Sequence, residues 1–144
     1  MIVTTRDAAG EPRGMTATAV CSVSLDPPLV MACMNRASTT YAAVEESGVF
    51  ALNILPEVAQ ALAGRFASPG LGKFEGVETR VGTTGAPLLT LAIAHCDCRV
   101  EQSVDAGDHT IFIGRAVSAD AGPQDADPLV YFRGRYGSVS TPGT

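Results

Sequence analysis

Turn-forming residues divide this chain into short strand-like segments, and only two stretches between them have the pattern of a helix. Residues 7–10, the Asp26-Pro27-Pro28 triplet and residues 106–108 each separate two apolar or alternating segments. Successive prolines lack N–H donors and must end a ladder, while Gly and Asp favour hairpin turns. Consecutive strands joined by such turns pair antiparallel, whereas a parallel sheet needs helices between most strands. The pattern therefore predicts a mainly β fold, an antiparallel barrel of about seven strands.

The strands are placed by their apolar and β-branched runs. One strand is expected on each side of the first turn, and Thr-, Ser- and Ala-rich residues 15–24 form a strand that needs small side chains. Residues 29–34 are continuously apolar, which predicts a buried strand. A further strand at 49–55, a long hairpin at 88–120 and a last strand within 128–139 complete the set. Residues 68–87 predict a long glycine-rich covering loop.

Two short helices are predicted, over residues 37–48 and 56–67. Ser38 or Thr39 can cap the first helix, and Gly48 stands where a helix stops. The second helix has Pro56 near its first turn. Spacing of i, i+4, i+8 gives it one apolar stripe made of Val58, Leu62 and Phe66.

Composition excludes several classes of protein. The chain has 144 residues, 46% of them hydrophobic and 17% charged, which predicts one ordered domain over residues 1–144. No apolar run approaches the ~20 residues of a membrane span, and the start lacks the apolar segment of a signal peptide. The net charge of −5 disfavours a nucleic-acid-binding surface. We expect a cytoplasmic protein that binds neither membrane nor nucleic acid.

Cysteine and histidine spacing gives no metal motif. No two of the four cysteines have C-x-x-C spacing, so buried reduced thiols and no metal site are expected of Cys21, Cys33, Cys96 and Cys98. Cys96 and Cys98 lie two apart in a strand and should point to one face. His95 lies among alternating apolar residues and is interpreted as structural.

Four segments carry candidate chemistry, and each has a plain structural alternative. Asn35, Arg36, Ser38, Thr39 and Thr40 form either an anion-binding helix start or an ordinary N-cap. The small residues of 14–24 leave room for a flat ligand or pack a barrel strand. His109 is either a turn residue or a reachable site residue. Residues 131–137 either clamp a ligand through arginine and tyrosine or form an edge strand.

The order of these segments resembles the flavin reductase-like family. The resemblance runs through "VTTRDAAGEPRGMTATAVCSVSLDPPLV", "RFA", "GAPLL", "GDHTIFIG" and "PLVYFRGRYG", and covers almost the whole chain. It implies a Greek-key split β-barrel, usually a homodimer, that binds FMN or FAD. It also implies hydride transfer from NADH or NADPH, often to supply a monooxygenase with reduced flavin. Alternatives on the same barrel are a non-catalytic flavin-binding protein and a pyridoxamine-phosphate-oxidase-like enzyme.

The resemblance also assigns residues. It implies a flavin phosphate near Asn35–Thr40, a ring along the segment 16–22, and a covering loop from Arg65 to Lys73. His109 would lie beside the nicotinamide and position it, since the cofactors supply the hydride chemistry. The implied flavin-binding set is Thr16, Ala17, Thr18, Ala19, Ser22, Cys33, Asn35, Arg36, Ser38, Thr39, Thr40, Phe66, Lys73, Arg133 and Tyr136.

Two departures from the family pattern stand out. The helix and strand that usually precede "TTRD" are largely missing from this sequence, which predicts weaker flavin binding or dimerisation if they contribute. His95 stands where an aromatic or aliphatic residue is more usual.

Overall fold

The computed structural model describes residues 1–123 and 125–139, and its main element is a seven-stranded antiparallel sheet in the order β2-β1-β5-β8-β9-β4-β3. Two small two-stranded sheets accompany it, β6 with β7 and β10 with β11. The elements in chain order are β1 (Ile2–Arg6), β2 (Pro12–Thr16), β3 (Val20–Leu25), β4 (Pro28–Asn35), α1 (Thr39–Ser47), β5 (Val49–Ile54), a 3₁₀ turn (Glu57–Ala59), α2 (Gln60–Ala67), β6 (Thr79–Val81), β7 (Pro87–Leu89), β8 (Ala94–Ala106), β9 (His109–Ala121), β10 (Val130–Phe132) and β11 (Arg135–Gly137).

The chain itself closes the sheet into a barrel. The edge strands β2 and β3 are consecutive in sequence and joined only by Ala17, Thr18 and Ala19. Such a connection spans at most about 14 Å, so the two edges must curl towards each other. The Ala17 amide donates to the Met1 carbonyl (3.0 Å), and the Cys33 amide donates to the Ala19 carbonyl (2.9 Å). We call this bridged junction of β2 and β3 the seam; the barrel is split here.

Two apolar clusters lie on opposite faces of β1. Val3 points into the barrel, where Met34, Phe50, Leu52 and Phe112 pack with Val44 of α1. The preceding residue, Ile2, points outward, because successive strand residues alternate between faces. Its cluster contains residues of α2 and of the segments beside it, namely Leu55, Ala59, Ala63, Phe66 and Leu89. Helix α2 therefore covers the outside of the barrel and α1 packs against its interior cluster.

Glycine at position 114 permits the packing inside the barrel. A Cβ on Gly114 of β9 would lie 2.6 Å from the Phe50 ring and 2.9 Å from Cβ of Cys98. Phe50 is fully buried, so it cannot move aside. A side chain at position 114 would displace the ring that fills this part of the core.

Several predictions are confirmed. The fold is a mainly β split barrel with two short helices, and the main sheet has seven strands. The Asp26-Pro27 turn separates β3 from β4, and the Gly107 turn joins β8 to β9. Ser38 is the N-cap of α1, accepting a hydrogen bond from the Tyr41 amide at 3.0 Å. Gly48 ends the helix with φ of 68°, a conformation that favours glycine.

Other predictions are wrong. Residues 15–24 are not one strand, because β2 ends at Thr16 and β3 begins at Val20. Residues 68–87 are not all loop, and 128–139 hold a hairpin rather than one strand. Val58 is 90% exposed, because Pro56 precedes a 3₁₀ turn and α2 starts only at Gln60; the buried side chains are Ala59, Ala63 and Phe66. Of the cysteines only Cys98 is fully buried, and Cys21 is exposed.

The described ranges lack two features. No helix among them is long and apolar enough to cross a membrane. Within the same ranges, no cluster of three or more His, Cys, Asp or Glu side chains has the arrangement of a metal site.

Candidate functional site

Two adjoining clefts follow the seam and form one groove. The first, of about 340 Å³, lies between the start of α1 and the segment after α2; the second, of about 390 Å³, lies between the seam and the β10–β11 hairpin. They share Thr16 and Ala67. The first cleft is lined by Met15, Thr16, Asn35, Ala37, Ser38, Thr39, Thr40, Phe66, Ala67, Ser68, Pro69, Gly70 and Lys73. The second is lined by Met1, Thr16, Ala17, Thr18, Ala63, Ala67, Leu129, Tyr131 and Tyr136.

The start of α1 presents hydrogen-bond donors to the first cleft. Asn35 Oδ1 accepts from the Ala37 amide at 2.8 Å, and the Ser38 hydroxyl accepts from Tyr41. These two side chains fix the turn that enters the helix. The backbone amides of Thr39 and Thr40 have no acceptor within the described ranges. Free amides at a helix start, with the helix dipole behind them, favour an anionic ligand group.

Lys73 brings a positive charge to the same cleft. Its Nζ donates to the carbonyl oxygens of Phe66 (3.2 Å) and Gly14 (3.3 Å). Partial burial lowers its pKa from the ordinary lysine value of 10.5, because burial disfavours the charged form. Arg65 holds this loop in place by donating to the carbonyls of Lys73 (3.4 Å) and Glu75 (2.9 Å). A cation and free helix amides therefore face one cleft.

An aromatic pair forms the wall between β2 and the covering loop. Phe66 and Phe74 meet edge to face, with ring centroids 4.9 Å apart. A Cβ on Gly14 would lie 2.7 Å from the Phe66 ring, so the ring packs directly on the strand backbone. The Thr16 hydroxyl donates to the Ala63 carbonyl at 2.7 Å and ties β2 to α2. The middle of the groove is thus closely packed, and its lining includes the small side chains of Thr16, Ala63 and Ala67.

The second cleft ends at the β10–β11 hairpin. Tyr131 and Tyr136 lie side by side, with ring centroids 5.1 Å apart. Arg133 is at the hairpin tip with a φ of 51°, and its guanidinium lies 5.2 Å above the Phe132 ring, outside the cleft lining. This end of the groove offers aromatic faces and no buried charge.

The groove brings most of the predicted flavin-binding residues together. The first cleft includes Thr16, Asn35, Ser38, Thr39, Thr40, Phe66 and Lys73, and the second includes Thr16, Ala17, Thr18 and Tyr136. The lining sets of these two clefts do not include Ala19, Ser22, Cys33, Arg36, Arg133 or His109. Ser22 lines a separate cavity.

Arg36 is occupied by the turn between β8 and β9. Its guanidinium donates to the Gly107 carbonyl and to the His109 carbonyl (3.4 Å), and it lies 3.5 Å from Asp105 Oδ1. The side chain therefore holds the β8–β9 turn against the start of α1.

His109 lies one strand away from the first cleft. It is directly opposite Asn35 in the pairing of β4 with β9. Its Nδ1 is 2.7 Å from Asp108 Oδ1, and the imidazole is 43% exposed. The hydrogen bond from His109 lowers the pKa of the Asp108 carboxyl. His109 is thus reachable from solvent and fixed beside the edge of the groove.

Several lining residues were not predicted from the sequence. Ala63 and Ala67, four apart on α2, face the seam as small residues, a spacing that could have signalled close packing against a strand. Tyr131 lies in the segment 131–137, whose sequence is compatible with either a ligand clamp or an edge strand. Met1 and Leu129 reach the groove through tertiary packing, and nothing in their local sequence indicates it.

The chain is thus a split-barrel protein with a groove that has free helix amides and Lys73 at one end and aromatic faces at the other. The chain belongs to the flavin reductase like domain family, whose family model matches residues 1–140. This agrees with the resemblance drawn from the sequence.

Similar proteins extend this assignment. A flavin reductase (NADH) from Kitasatospora aureofaciens is 42% identical over 137 residues, which are 94% of this chain and 72% of that protein. The reductase subunit of a flavin-dependent monooxygenase from Rhodococcus jostii is 38% identical over 96% of this chain and 70% of its own length. A Streptomyces globisporus NADH:FAD oxidoreductase, solved with NAD and FAD fragments, superposes with a TM-score of 0.89 at 33% identity, covering 96% of this chain and 83% of that one.

Proposed function

We propose that this protein is an NADH-dependent flavin reductase that transfers hydride from nicotinamide to FMN or FAD. The observation that carries the proposal is the groove along the seam, whose cationic end contains Lys73 and the free amides of α1. Relatives named as NADH-dependent reductases of FMN and of FAD support the reaction.

The residues of the groove fit a flavin. Thr39 and Thr40 would bind the phosphate through their amides, with Lys73 neutralising its charge. Thr16, Ala17 and Thr18 leave a shallow floor for the ring system, and Tyr136 offers it an aromatic face. When bound, the flavin accepts the hydride and the nicotinamide supplies it. The chain's own task is to hold two flat rings face to face and exclude water.

His109 would position the nicotinamide rather than transfer a proton. Its imidazole is held by Asp108 beside the groove, where it can contact a ring stacked on the flavin. For His109→Ala we expect kcat/KM for NADH to fall about tenfold while the flavin Kd stays unchanged. Unchanged turnover would contradict a role of His109 in positioning the nicotinamide.

Five further residues remain predicted flavin contacts that lie outside the two clefts, namely Ala19, Ser22, Cys33, Arg36 and Arg133.

The assembly and location also belong to this proposal. Relatives named as reductase components of monooxygenases support a monooxygenase that receives reduced flavin. The homodimer implied by the resemblance remains a prediction. Light scattering during size-exclusion chromatography would test it by measuring the molar mass of the protein. The cytoplasmic location likewise remains a prediction, tested by fractionation of the source cells.

The deciding experiment measures NADH and NADPH oxidation by the purified protein with FMN, FAD or no added flavin. We expect oxidation of NADH that depends on added flavin. Bound flavin without oxidation of either nucleotide would instead favour the non-catalytic flavin-binding alternative. Substrate-dependent oxidase activity without nicotinamide would favour the pyridoxamine-phosphate-oxidase-like one.

A further inference from the structure

Two cysteines of β8 lie in contact away from the groove. The sulfur atoms of Cys96 and Cys98 are 3.6 Å apart, and the Cys98 thiol also lies 3.7 Å from the Cys96 carbonyl oxygen. Both side chains point into the barrel, where Cys98 is fully buried and Cys96 is half-buried. The proposed reductase reaction uses neither thiol, so their contact calls for a separate explanation.

Cys96 is reachable through a cavity of its own. A largely apolar cavity of about 220 Å³ is lined by Cys96 and His95 on β8, by Cys21 and Ser22 on β3, and by Met1, Val20, Val30, Leu52, Ile54 and Ala94. This volume admits a molecule the size of hydrogen peroxide. Cys98 does not line the cavity, so of the two paired thiols only Cys96 faces an oxidant that enters it.

The two thiols are chemically unequal. The hydrogen bond from Cys98 lowers the pKa of Cys96 to about 7, against opposition from burial and from the Asp97 carboxylate. The same hydrogen bond, together with burial, raises the pKa of Cys98. Of the two sulfur atoms, Cys96 is therefore the one favoured as a thiolate, and Cys98 the one favoured as a thiol. This is the arrangement of an attacking cysteine with a resolving partner beside it.

We propose that Cys96 and Cys98 form a reversible peroxide-sensitive pair, in which Cys96 is oxidised first and Cys98 closes a disulfide with it. The Cys96 thiolate attacks one oxygen of hydrogen peroxide and breaks the O–O bond. The sulfur becomes a sulfenic acid and the other oxygen leaves as hydroxide. The Cys98 sulfur then attacks the Cys96 sulfur, forming the S–S bond, while its proton and the sulfenic hydroxyl leave as water.

The strand geometry allows this disulfide. Residues two apart on a strand have Cα atoms about 6.6 Å apart, within the range that disulfides accept. A register shift between Asp97 and Cys98 marks a bulge at this point, and bulges add local bending. The two sulfur atoms are in van der Waals contact at 3.6 Å, and rotation of the side chains can bring them to the bond length of about 2 Å.

The test treats the reduced chain with hydrogen peroxide in the absence of flavin and NADH, so its result does not depend on the proposed reductase activity. Remaining thiols are blocked with N-ethylmaleimide, and the digest is examined by mass spectrometry. Both cysteines lie in the tryptic peptide between Arg80 and Arg99, which contains no other cysteine. We expect this peptide to escape labelling after peroxide treatment, with a mass about 2 Da below that of its reduced, unlabelled form. Dithiothreitol added before the maleimide should restore labelling of both cysteines.

Variants separate the two roles. Cys96→Ser should abolish the disulfide, while Cys98→Ala should leave a Cys96 sulfenic acid that dimedone traps. Cys98→Ala should also slow alkylation of Cys96 at pH 7 by about fivefold or more, whereas Cys98→Ser, which keeps a donor, should retain faster alkylation but form no disulfide. Urea unfolding of each variant verifies the fold. Cys21→Ser and Cys33→Ser are matched controls and should form the disulfide as the parent does.

Three results would overturn the proposal. These are a disulfide that joins Cys96 to Cys21, oxidation confined to the exposed Cys21, or no mass change in the peptide at peroxide concentrations that oxidise a free cysteine.

Discussion

The two ends of the groove are built in different ways. The helix end consists of residues 35–40 together with Lys73. Residues 35–40 continue directly from β4 and lead into α1, in which Thr40 and Val44 are buried. The hairpin end, Val130–Gly137, consists of β10 and β11, which pair with each other and not with the main sheet. Two backbone hydrogen bonds just before the hairpin attach it, from the Leu129 amide to the Leu55 carbonyl and from the Glu57 amide to the Asp127 carbonyl, both 2.9 Å long. Packing of Leu129 and Tyr136 adds to them.

Because of this difference, we expect the two ends to contribute differently to ligand binding. Donors at the helix end are held by the core, so they meet an anionic group without rearrangement. The hairpin end has little buried surface and few backbone links, which are the properties of segments that open at low free energy. We infer that the helix end sets flavin affinity, while the hairpin end adjusts to whichever ring stacks there. The following predictions test that contrast.

The largest expected effect is on stability. Phe66→Ala removes a fully buried ring that packs on Gly14 and Phe74 beside the helix end, and should lower the free energy of unfolding by about 3–5 kcal/mol. Phe132→Ala removes a ring that is 67% exposed on the hairpin and should change it by about 0.5 kcal/mol or less. Urea denaturation measures both. Similar losses in the two variants would contradict the contrast.

The next effect concerns the phosphate. Lys73→Met should weaken FMN binding about tenfold or more, because a charge-assisted hydrogen bond is lost. Riboflavin, which lacks the phosphate, should bind the variant and the parent equally. Arg115→Met is the matched control, because Arg115 is an exposed arginine of β9 that pairs with Glu101 and lines neither cleft; it should alter the FMN Kd by less than about twofold. Fluorescence titration checks all three, and an equal loss of riboflavin affinity would place Lys73 elsewhere in the site.

A smaller effect is expected at the hairpin end. Tyr136→Ala removes an aromatic face from the second cleft and should raise KM for flavin or NADH about three- to fivefold. Tyr136→Phe keeps the ring and should behave as the parent does in steady-state kinetics. If both variants lose activity alike, the hydroxyl rather than the ring is what the reaction requires.

The smallest effect is on pH dependence. Lys73 is protonated below its pKa, and burial lowers that pKa from 10.5. FMN affinity should therefore begin to decline as the pH rises, before the ordinary lysine value is reached, while the phosphate remains doubly charged. Titrations at increasing pH measure the decline. Lys73→Met should show a flat profile over the same interval, and a parallel decline in that variant would assign the titration to another group.

The parts predictable from sequence are those that local residues determine. The Asp26-Pro27 turn, the Ser38 cap and the Gly48 stop follow from backbone preferences of the residues present. The β6–β7 pair was missed because it depends on distant partners. The Thr4 hydroxyl donates to the Pro87 carbonyl at 2.5 Å, and Asn53 Oδ1 accepts from the Leu89 amide at 2.8 Å.

The site divides in the same way. The α1 donors could be expected from "NRASTT" alone, whereas Lys73 came only through the family resemblance. Its hydrogen-bond partner Gly14 lies 59 residues away in sequence, and no local pattern encodes such a contact. The apolar spacing of the second helix predicts that Val58 is buried, but Val58 lies in a 3₁₀ turn before α2. That turn has fewer residues per turn than an α-helix and therefore directs the Val58 side chain to solvent.

The seam has a consequence for which parts of the barrel exchange amide protons first. Along it, β2 and β3 each have a ladder partner on one side only, so opening there breaks fewer hydrogen bonds than opening elsewhere in the sheet. A ligand lying across Thr16, Ala17 and Thr18 bridges that junction. With ligand bound, we therefore expect slower deuterium uptake at the seam than in the free protein, and little change at the well-paired centre of β5 and β8.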